Sequence, residues 1–322
     1  PLFNALAATL IEEGLVDHAF LAERVTGFDA FAAHVARYTP ETVTGTCHVP
    51  AAAIRAAARL YAGGRPSMCF HGLGVTEHLQ GSEGVMALIN LALLTGNLGR
   101  SGAGINPLRG QNNVQGAAQM GCDPTSLTGA QTIGKAGAHF EQVWGVNLPA
   151  RRGLNLLDMI DAARAGRLKA LWTIGYDIYL SLANMNDTAA ALTGLDLVIV
   201  QDLFLNKTAE TFGTVFLPAA SSFEKDGTFM NSDRRVQRIR AVVPAPGQAQ
   251  ADWWIVQALA ARMGKPQGFE FAGPQAIWDE VRALWPDGAG LTYSRLEHES
   301  LHWPCPDESH PGTAVLHREH FV

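Results

Sequence analysis

The sequence predicts an α/β protein built on parallel β-structure, and three observations carry that expectation. Short apolar runs suited to buried strands recur at residues 67–71, 168–174, 195–200 and 214–217. Helical patterns separate them, and strands alternating with short helices point to a parallel sheet. Apolar residues supply 47% of the 322-residue chain and charged residues only 17%, so one large or two ordinary domains can be filled with core.

Taken in order, Leu2, Phe3, Leu6, Leu10 and Ile11 recur at helical spacing, and Gly14 is placed to end that helix. Thr39 followed by Pro40 and Glu41 reads as an N-cap with proline at the first helical position. Pro50 opens an alanine-rich helix through Ala62, stopped by Gly63 and Gly64. The strand at 67–71 runs into a loop, and Ser82 is expected to cap an apolar helix over 85–94. The first third therefore reads as alternating strand and helix. Residues 123–152 show weak periodicity and many turn residues, the pattern of an ordered surface excursion.

A helix at 154–165 then precedes the strand 168–174, which enters the turn Gly175-Tyr176-Asp177. A short helix at 188–192 precedes the strand 195–200, which ends at Gln201-Asp202. Both turns lie at carboxyl ends of strands, where parallel sheets bind ligands. A helix at 207–211 and the strand 214–217 follow, then a polar segment at 224–231 and an arginine-rich one. Helices are expected at 251–263 and 274–285, with a loop-rich remainder and no internal repeat.

Charge and cysteine usage narrow the function. A net charge of −6 without a basic stripe argues against nucleic acid as a partner. The longest uncharged apolar run, 85–95, is well short of the ~20 residues of a membrane-spanning helix. Direct membrane insertion is therefore not expected. The chain starts at Pro1 inside a helical pattern with no signal peptide, which reads as a piece of a longer protein. Cys47, Cys69, Cys122 and Cys305 are far apart with no CxxC, which excludes a local zinc ribbon or iron–sulfur ligand set. Free thiols fit a cytoplasmic setting.

Three short motifs fail on inspection. Gly72-Leu73-Gly74 follows a strand, but Glu77 stands where a dinucleotide fingerprint needs its third glycine. Residues 129–135 match GxxxxGK, but Ala136 cannot supply the magnesium-binding hydroxyl. His298-Glu299-Ser300-Leu301-His302 is a formal HExxH, yet Pro304 and Pro306 would end its helix at the second ligand. His310, His317 and His320 offer no convincing third ligand.

The stretch 104–121 is too polar and too glycine-rich for a core element, although helical sequence flanks it. Gly102, Gly104 and Gly110 permit close backbone approach. Arg109 stands among them, followed by Gln111, Asn112 and Asn113, and a helix starts at Val114. A lone arginine is usually a surface group. One guanidinium beside three carboxamides in a conformationally demanding loop suggests recognition of a planar, anionic, heteroatom-rich ligand. The string from Arg109 to Ala117 closely resembles the RGQNNVQGA motif of formate dehydrogenase catalytic subunits in the molybdopterin oxidoreductase family, and the similarity runs almost end to end.

That resemblance implies portions of two doubly wound (Rossmann-like) domains, each cradling half of a molybdenum or tungsten bis-molybdopterin guanine dinucleotide cofactor. Residues 1–110 would belong to the first, 111–221 to the second, and 222–322 to a return segment. An N-terminal iron–sulfur domain and a C-terminal barrel would be missing, together with the Cys or selenocysteine ligand of the metal. The isolated chain would then be inactive. Arg109 matches the family's active-site arginine, whose guanidinium would grip formate bidentately as it is oxidised to carbon dioxide. Electrons would leave through the iron–sulfur cluster to partner subunits linked to NAD or another acceptor.

Cofactor contacts implied by the resemblance include Leu73, Gly74 and Glu77, the last replacing the family's usual Gln, together with Gln111. Gly175, Tyr176 and Asp177 stand where the family shows Gly-Glu-Asn or Gly-Glu-Asp. Gln201 and Asp202 match a VVQD pattern that reads guanine. Glu224, Gly227, Thr228, Asn231 and Arg234 match an ExxGTxxNxxR run near the cofactor. Strand-end turn chemistry is the bland alternative for these strand-end residues. The family's stretch matching 295–306 does without the histidines of the zinc motif. Rival readings are a nitrate reductase-like bis-pterin enzyme and a cofactor-free structural module of a redox complex.

Overall fold

The computed structural model describes residues 1–319, and the chain falls into two compact units. The first comprises Pro1–Gln111 with the chain from Thr313 onward; the second is Asn112–Gly312. In the first unit, α1 (Leu2–Glu12), α2 (His18–Arg24), α3 (Phe28–Val35), α4 (Pro40–Cys47) and α5 (Ala51–Gly63) precede β1 (Met68–His71). Then come α6 (Leu73–Thr76), α7 (Gly81–Leu94) and β2 (Gly104–Pro107). Helix α1 is apolar on most sides, with Ala5, Ala7, Ala8 and Leu10 all buried, so it occupies the centre of the bundle. It packs on α3, α4, α5 and α7. Thr39 caps α4 as expected, its side chain accepting from the Thr42 amide.

Three expectations need correcting here. The first third is mainly helical, because its two strands make only one two-stranded parallel pair, with Cys69 opposite Ile105. Strand β2 went unread because Gly104-Ile105-Asn106-Pro107 has no alternation; its pairing with β1 makes it a strand. Strand β1 is only half-buried. Cys69 packs on the helical core, whereas Phe70 on the other face is 59% exposed. Ser82 is not a cap: α7 begins at Gly81, so Ser82 already lies within its first turn.

The second unit begins with α8 (Val114–Gln119), the short hairpin β3 (Ser126–Leu127) and β4 (Gln131–Thr132), α9 (Ile133–Trp144) and α10 (Leu156–Arg164). A parallel layer follows: β5 (Ala170–Ile174), α11 (Ile178–Ser181), α12 (Met185–Thr193), β6 (Leu197–Asp202), α13 (Lys207–Phe212) and β7 (Val215–Pro218). The strands lie in the order β5-β6-β7, all parallel, with Gln201 opposite both Ile174 and Leu217. Val198 and Val200 of central β6 are buried, and α10 and α12 close a core of Ile160, Ala163, Ile178, Ala191 and Leu192.

The rest of this unit is β8 (Gly227–Met230), β9 (Arg235–Ile239), α14 (Asp252–Arg262), α15 (Pro274–Leu284), α16 (Tyr293–Leu296) and β10 (Leu301–His302). Strands β8, β9 and β10 form an antiparallel sheet that the polar, arginine-rich sequence concealed. Only Val236 of β9 is fully buried, so alternation was weak. Behind it lies an aromatic core of Trp278, Trp285, Tyr293 and Trp303, in which the Trp278 indole donates to the Leu291 carbonyl at 2.6 Å. The excursion at 123–152 also holds an unread helix, α9, anchored by the buried Phe140. Gly134 and Gly137 inside it lower its helical propensity and hid the pattern.

Candidate substrate and nucleotide site

In the first unit, the parallel pair β1–β2 sets up two loops at its carboxyl end. The Leu108 amide donates to the His71 carbonyl at 2.7 Å and carries the pairing one residue past β2. Beyond it Arg109, Gly110 and Gln111 are exposed. Arg109 makes no hydrogen bond or ion pair with the protein among the described residues. Its five guanidinium donors are thus unspent on the described protein.

The neighbouring loop is more ordered than its sequence suggests, since α6 makes one helical turn there. Leu73, Gly74 and Glu77 are all exposed, and the Glu77 amide closes the turn on the Leu73 carbonyl. His78 reaches back to the Gly74 carbonyl at 2.9 Å, donating from Nε2 in the tautomer that bond requires. This histidine braces the turn. Asn113, in the second unit, is also committed internally: Oδ1 accepts from the Met230 amide at 2.9 Å, and its backbone is left-handed at φ 58°. The sequence had suggested a ligand role for that carboxamide.

In the second unit, the carboxyl ends of β5 and β6 carry a polar rim. Gly175 has φ +62°, and its amide donates to the Gln201 carbonyl at 2.8 Å. The Asp177 carboxylate accepts from the Thr208 hydroxyl at 2.6 Å and from the amides of Lys207, Thr208 and Leu180 at 3.0, 3.2 and 3.4 Å. It therefore clamps the β5 loop to the first turn of α13. Partial burial alone would raise its pKa, but the Thr208 hydroxyl and those amides outweigh burial and hold the carboxyl below its usual value.

Asp202 is less committed. Oδ1 accepts from the Leu203 amide and Oδ2 from the Asn206 side chain, both at 2.7 Å, leaving a lone pair on each oxygen. Tyr176 presents a partly exposed ring, and Phe204 is 77% exposed.

Gln201 is wholly enclosed at 0% exposure, with Nε2 donating to Asp252 at 2.7 Å. Glu224 Oε2 accepts from the Ser221 amide at 2.8 Å. Gly227 and Thr228 sit in β8 opposite Ile239 and Arg238, and Arg238 donates to the Gly227 carbonyl at 2.7 Å. The rim thus divides into braces, chiefly Asp177 and Gln201, and groups still able to bind, chiefly Gly175, Tyr176 and Asp202. Sequence reasoning missed Thr208, Asn206 and Asp252. Asn206 was findable as the N-cap of α13, where it accepts from the Ala209 amide at 2.9 Å. Asp252 gave no local signal, because its partner is 51 residues away.

The zinc motif does not assemble. His298 follows α16, and His302 lies in strand β10, so the two share no helix face. His302 instead pairs with Asp233 at 2.9 Å. No group of three His, Cys, Asp or Glu side chains converges on a metal-sized point among the described residues, and His320 lies outside them.

Comparison with known proteins fits these observations. The profile of the family described as Molybdopterin oxidoreductase matches residues 1–262. The F420-dependent formate dehydrogenase subunit alpha of Methanocaldococcus jannaschii is 40% identical over 321 residues, covering 100% of this chain and 47% of that protein. F420-dependent formate dehydrogenase 2 subunit alpha of Methanococcus maripaludis is 42% identical over 322 residues, again covering 100% and 47%. Formate dehydrogenase H of Escherichia coli is 41% identical over 326 residues, covering 99% of this chain and 45% of that protein. The chain spans about half the length of the curated relatives it matches. Among solved structures, acetylene hydratase from Pelobacter acetylenicus superposes with a TM-score of 0.71 at 18% identity, covering 98% of this chain and 46% of that one. At that identity the likeness concerns the fold alone.

Proposed function

Given that this chain belongs to the molybdopterin oxidoreductase family, we propose that it grips substrate and holds nucleotide within a formate dehydrogenase catalytic subunit. The observation that carries this reading is Arg109, a guanidinium without a protein partner among the described residues, on an exposed glycine-bordered loop. A shared fold does not fix the reaction, as the name of the acetylene hydratase illustrates, so the argument rests on the site.

When bound, a molybdenum or tungsten bis-molybdopterin guanine dinucleotide would supply the two-electron acceptor, so that formate would lose two electrons and a proton as its C–H bond breaks and carbon dioxide forms. The residues present fit such a group. Asp202 keeps lone pairs free for the N–H edge of a guanine, and the open backbone at Gly175 leaves room for close approach. Tyr176 offers a ring for stacking where the family carries an acid. In the first unit, Leu73, Gly74, Glu77 and Gln111 would contact one half of such a cofactor; in the second, Glu224, Gly227 and Thr228 would add to the contacts of the other half. Residues 1–110 and 111–221 would serve as its two α/β halves and 222–322 as the return segment.

Arg109 would hold the formate carboxylate through two parallel N–H···O bonds, fixing the direction of the C–H bond. Because carbon dioxide is neutral, this ion pair disappears on oxidation and the product is released. An iron–sulfur cluster and electron-transfer subunits would serve the full-length protein, whose relatives carry the name subunit alpha. No helix among the described residues is long and apolar enough to cross a membrane. The cytoplasmic setting rests instead on the four free cysteines.

The test is reduction of a redox dye by the full-length protein with formate, beside dye oxidation with nitrate, alongside metal and pterin content. Formate turnover by pterin-loaded protein is expected. Nitrate turnover without formate oxidation would favour the nitrate reductase-like rival, and protein devoid of metal and pterin would favour the structural module.

A further inference from the structure

Gln201 joins three rim segments that lie far apart in sequence. Its carbonyl accepts from the Gly175 amide at 2.8 Å, tying in the 175–177 loop. Its side chain donates to Asp252 Oδ1 at 2.7 Å, tying in α14. The second oxygen of Asp252 receives the Lys225 ammonium, tying in the 224–228 segment. Asp252 is itself firmly placed. Two residues before it, Gln250 bridges Ala219 beyond β7, and Asp252 opens α14, where the helix dipole favours a carboxylate.

A buried carboxamide can face either way, because its oxygen and nitrogen are nearly the same size; only its partners choose. Gln201 Oε1 is buried without a partner among the described residues. Asp252, which only accepts, is therefore the one group that dictates the orientation. Lys225 balances the charge of that acceptor.

We propose that Asp252, backed by Lys225, is a positioning residue for the nucleotide rim: it sets the Gln201 carboxamide and thereby ties the 201–202 strand end and the 224–228 segment to the start of α14, while the Gln201 backbone carbonyl holds the 175–177 loop. This role rests on the nucleotide-binding reading above. Asp252 and Lys225 act through Gln201 and need not touch a ligand themselves.

The experiment compares full-length wild type with Asp252→Ala, Lys225→Met and the double variant, measuring guanine nucleotide released per chain after denaturation, and Tm. At metal sites, removing a hydrogen-bond partner that stands behind a ligating side chain weakens binding about 10–100-fold, and a loss of that order is expected at this rim. Each single variant should therefore lose nucleotide during gel filtration, and the double variant should lose no more than Asp252→Ala alone, since the two act as a unit. A core variant, Leu192→Ala, lowers Tm without touching the relay and should keep its nucleotide. Variants as fully loaded as a loaded wild type would overturn the positioning role alone. So would nucleotide loss in Leu192→Ala matching that in Asp252→Ala at equal Tm. A wild type carrying no pterin nucleotide would overturn the cofactor reading and this role with it.

Discussion

The loop after β2 and the rim after β5 and β6 both end parallel strands and both carry polar residues, yet they spend those residues differently. Arg109 stands exposed with no protein partner among the described residues, whereas Asp177 is held by four donors and Gln201 is fully enclosed. In the first region the guanidinium spends none of its hydrogen-bonding capacity on the described protein. The second uses most of its capacity to hold its own shape and offers what remains, chiefly Asp202, Gly175 and Tyr176. A motif match cannot tell these situations apart, because both contribute polar residues at strand ends. Deleting a side chain should therefore have opposite signatures in the two places: lost turnover in the first, lost stability or loading in the second.

The largest effect is expected at Arg109. In the full-length protein, Arg109→Ala should lower formate turnover by about 10²–10³-fold or more, the scale of losing a charged group that orients substrate. Its Tm and metal content should stay close to wild type, because no protein contact is broken. Asp177→Ala should destabilise the second unit by about 1–3 kcal/mol, since three amides and a hydroxyl lose their acceptor. The sign of its pH dependence follows from a folded pKa held below the unfolded one. The carboxylate stabilises fully above the unfolded value, so the gap between wild type and variant should shrink as pH falls below about 4. Denaturant melts between pH 3 and 7 would show it.

A smaller and more local effect is expected at Gly116. A Cβ there would lie 2.1 Å from Asn113 Oδ1, the atom that accepts from the Met230 amide. Gly116→Ala should displace that carboxamide and destabilise by about 1–3 kcal/mol, read as a Tm shift, without changing formate binding by an intact Arg109. At the bottom of the scale, His298→Ala should change Tm little, within about 0.5 kcal/mol, and leave the metal content of the full-length protein untouched. Stoichiometric zinc lost on that substitution would restore the peptidase motif that strand β10 argues against.

Much of this was legible in the sequence, and the reasons are specific. The three parallel strands of the second unit and their strand-end turns were readable because Val198, Val200 and their neighbours form continuous apolar runs bounded by glycine and helix signals. Strands β8 and β9 were not, because polar residues fill three of the five positions of β9, two of them arginines, and only pairing with β8 and β10 makes them a sheet. Helix α9 was hidden by its two glycines. Arg109 stood out because one cation among glycines and carboxamides has no structural explanation at hand. The fates of Asn113, Gln201 and Asp177 could not be read, since each depends on a partner supplied by a distant segment, such as Met230, Asp252 or Thr208.

The most direct test puts the two regions side by side in the full-length protein: kcat/KM for formate, normalised to metal per chain, in Arg109→Lys and Asp177→Ala. Lysine keeps the charge but not the planar fork that grips a carboxylate bidentately. The account predicts that Arg109→Lys is fully loaded with metal and turns over poorly. Asp177→Ala should be under-loaded, yet turn over normally for each metal it holds. Wild-type turnover in Arg109→Lys, or normal loading with failed turnover in Asp177→Ala, would contradict it.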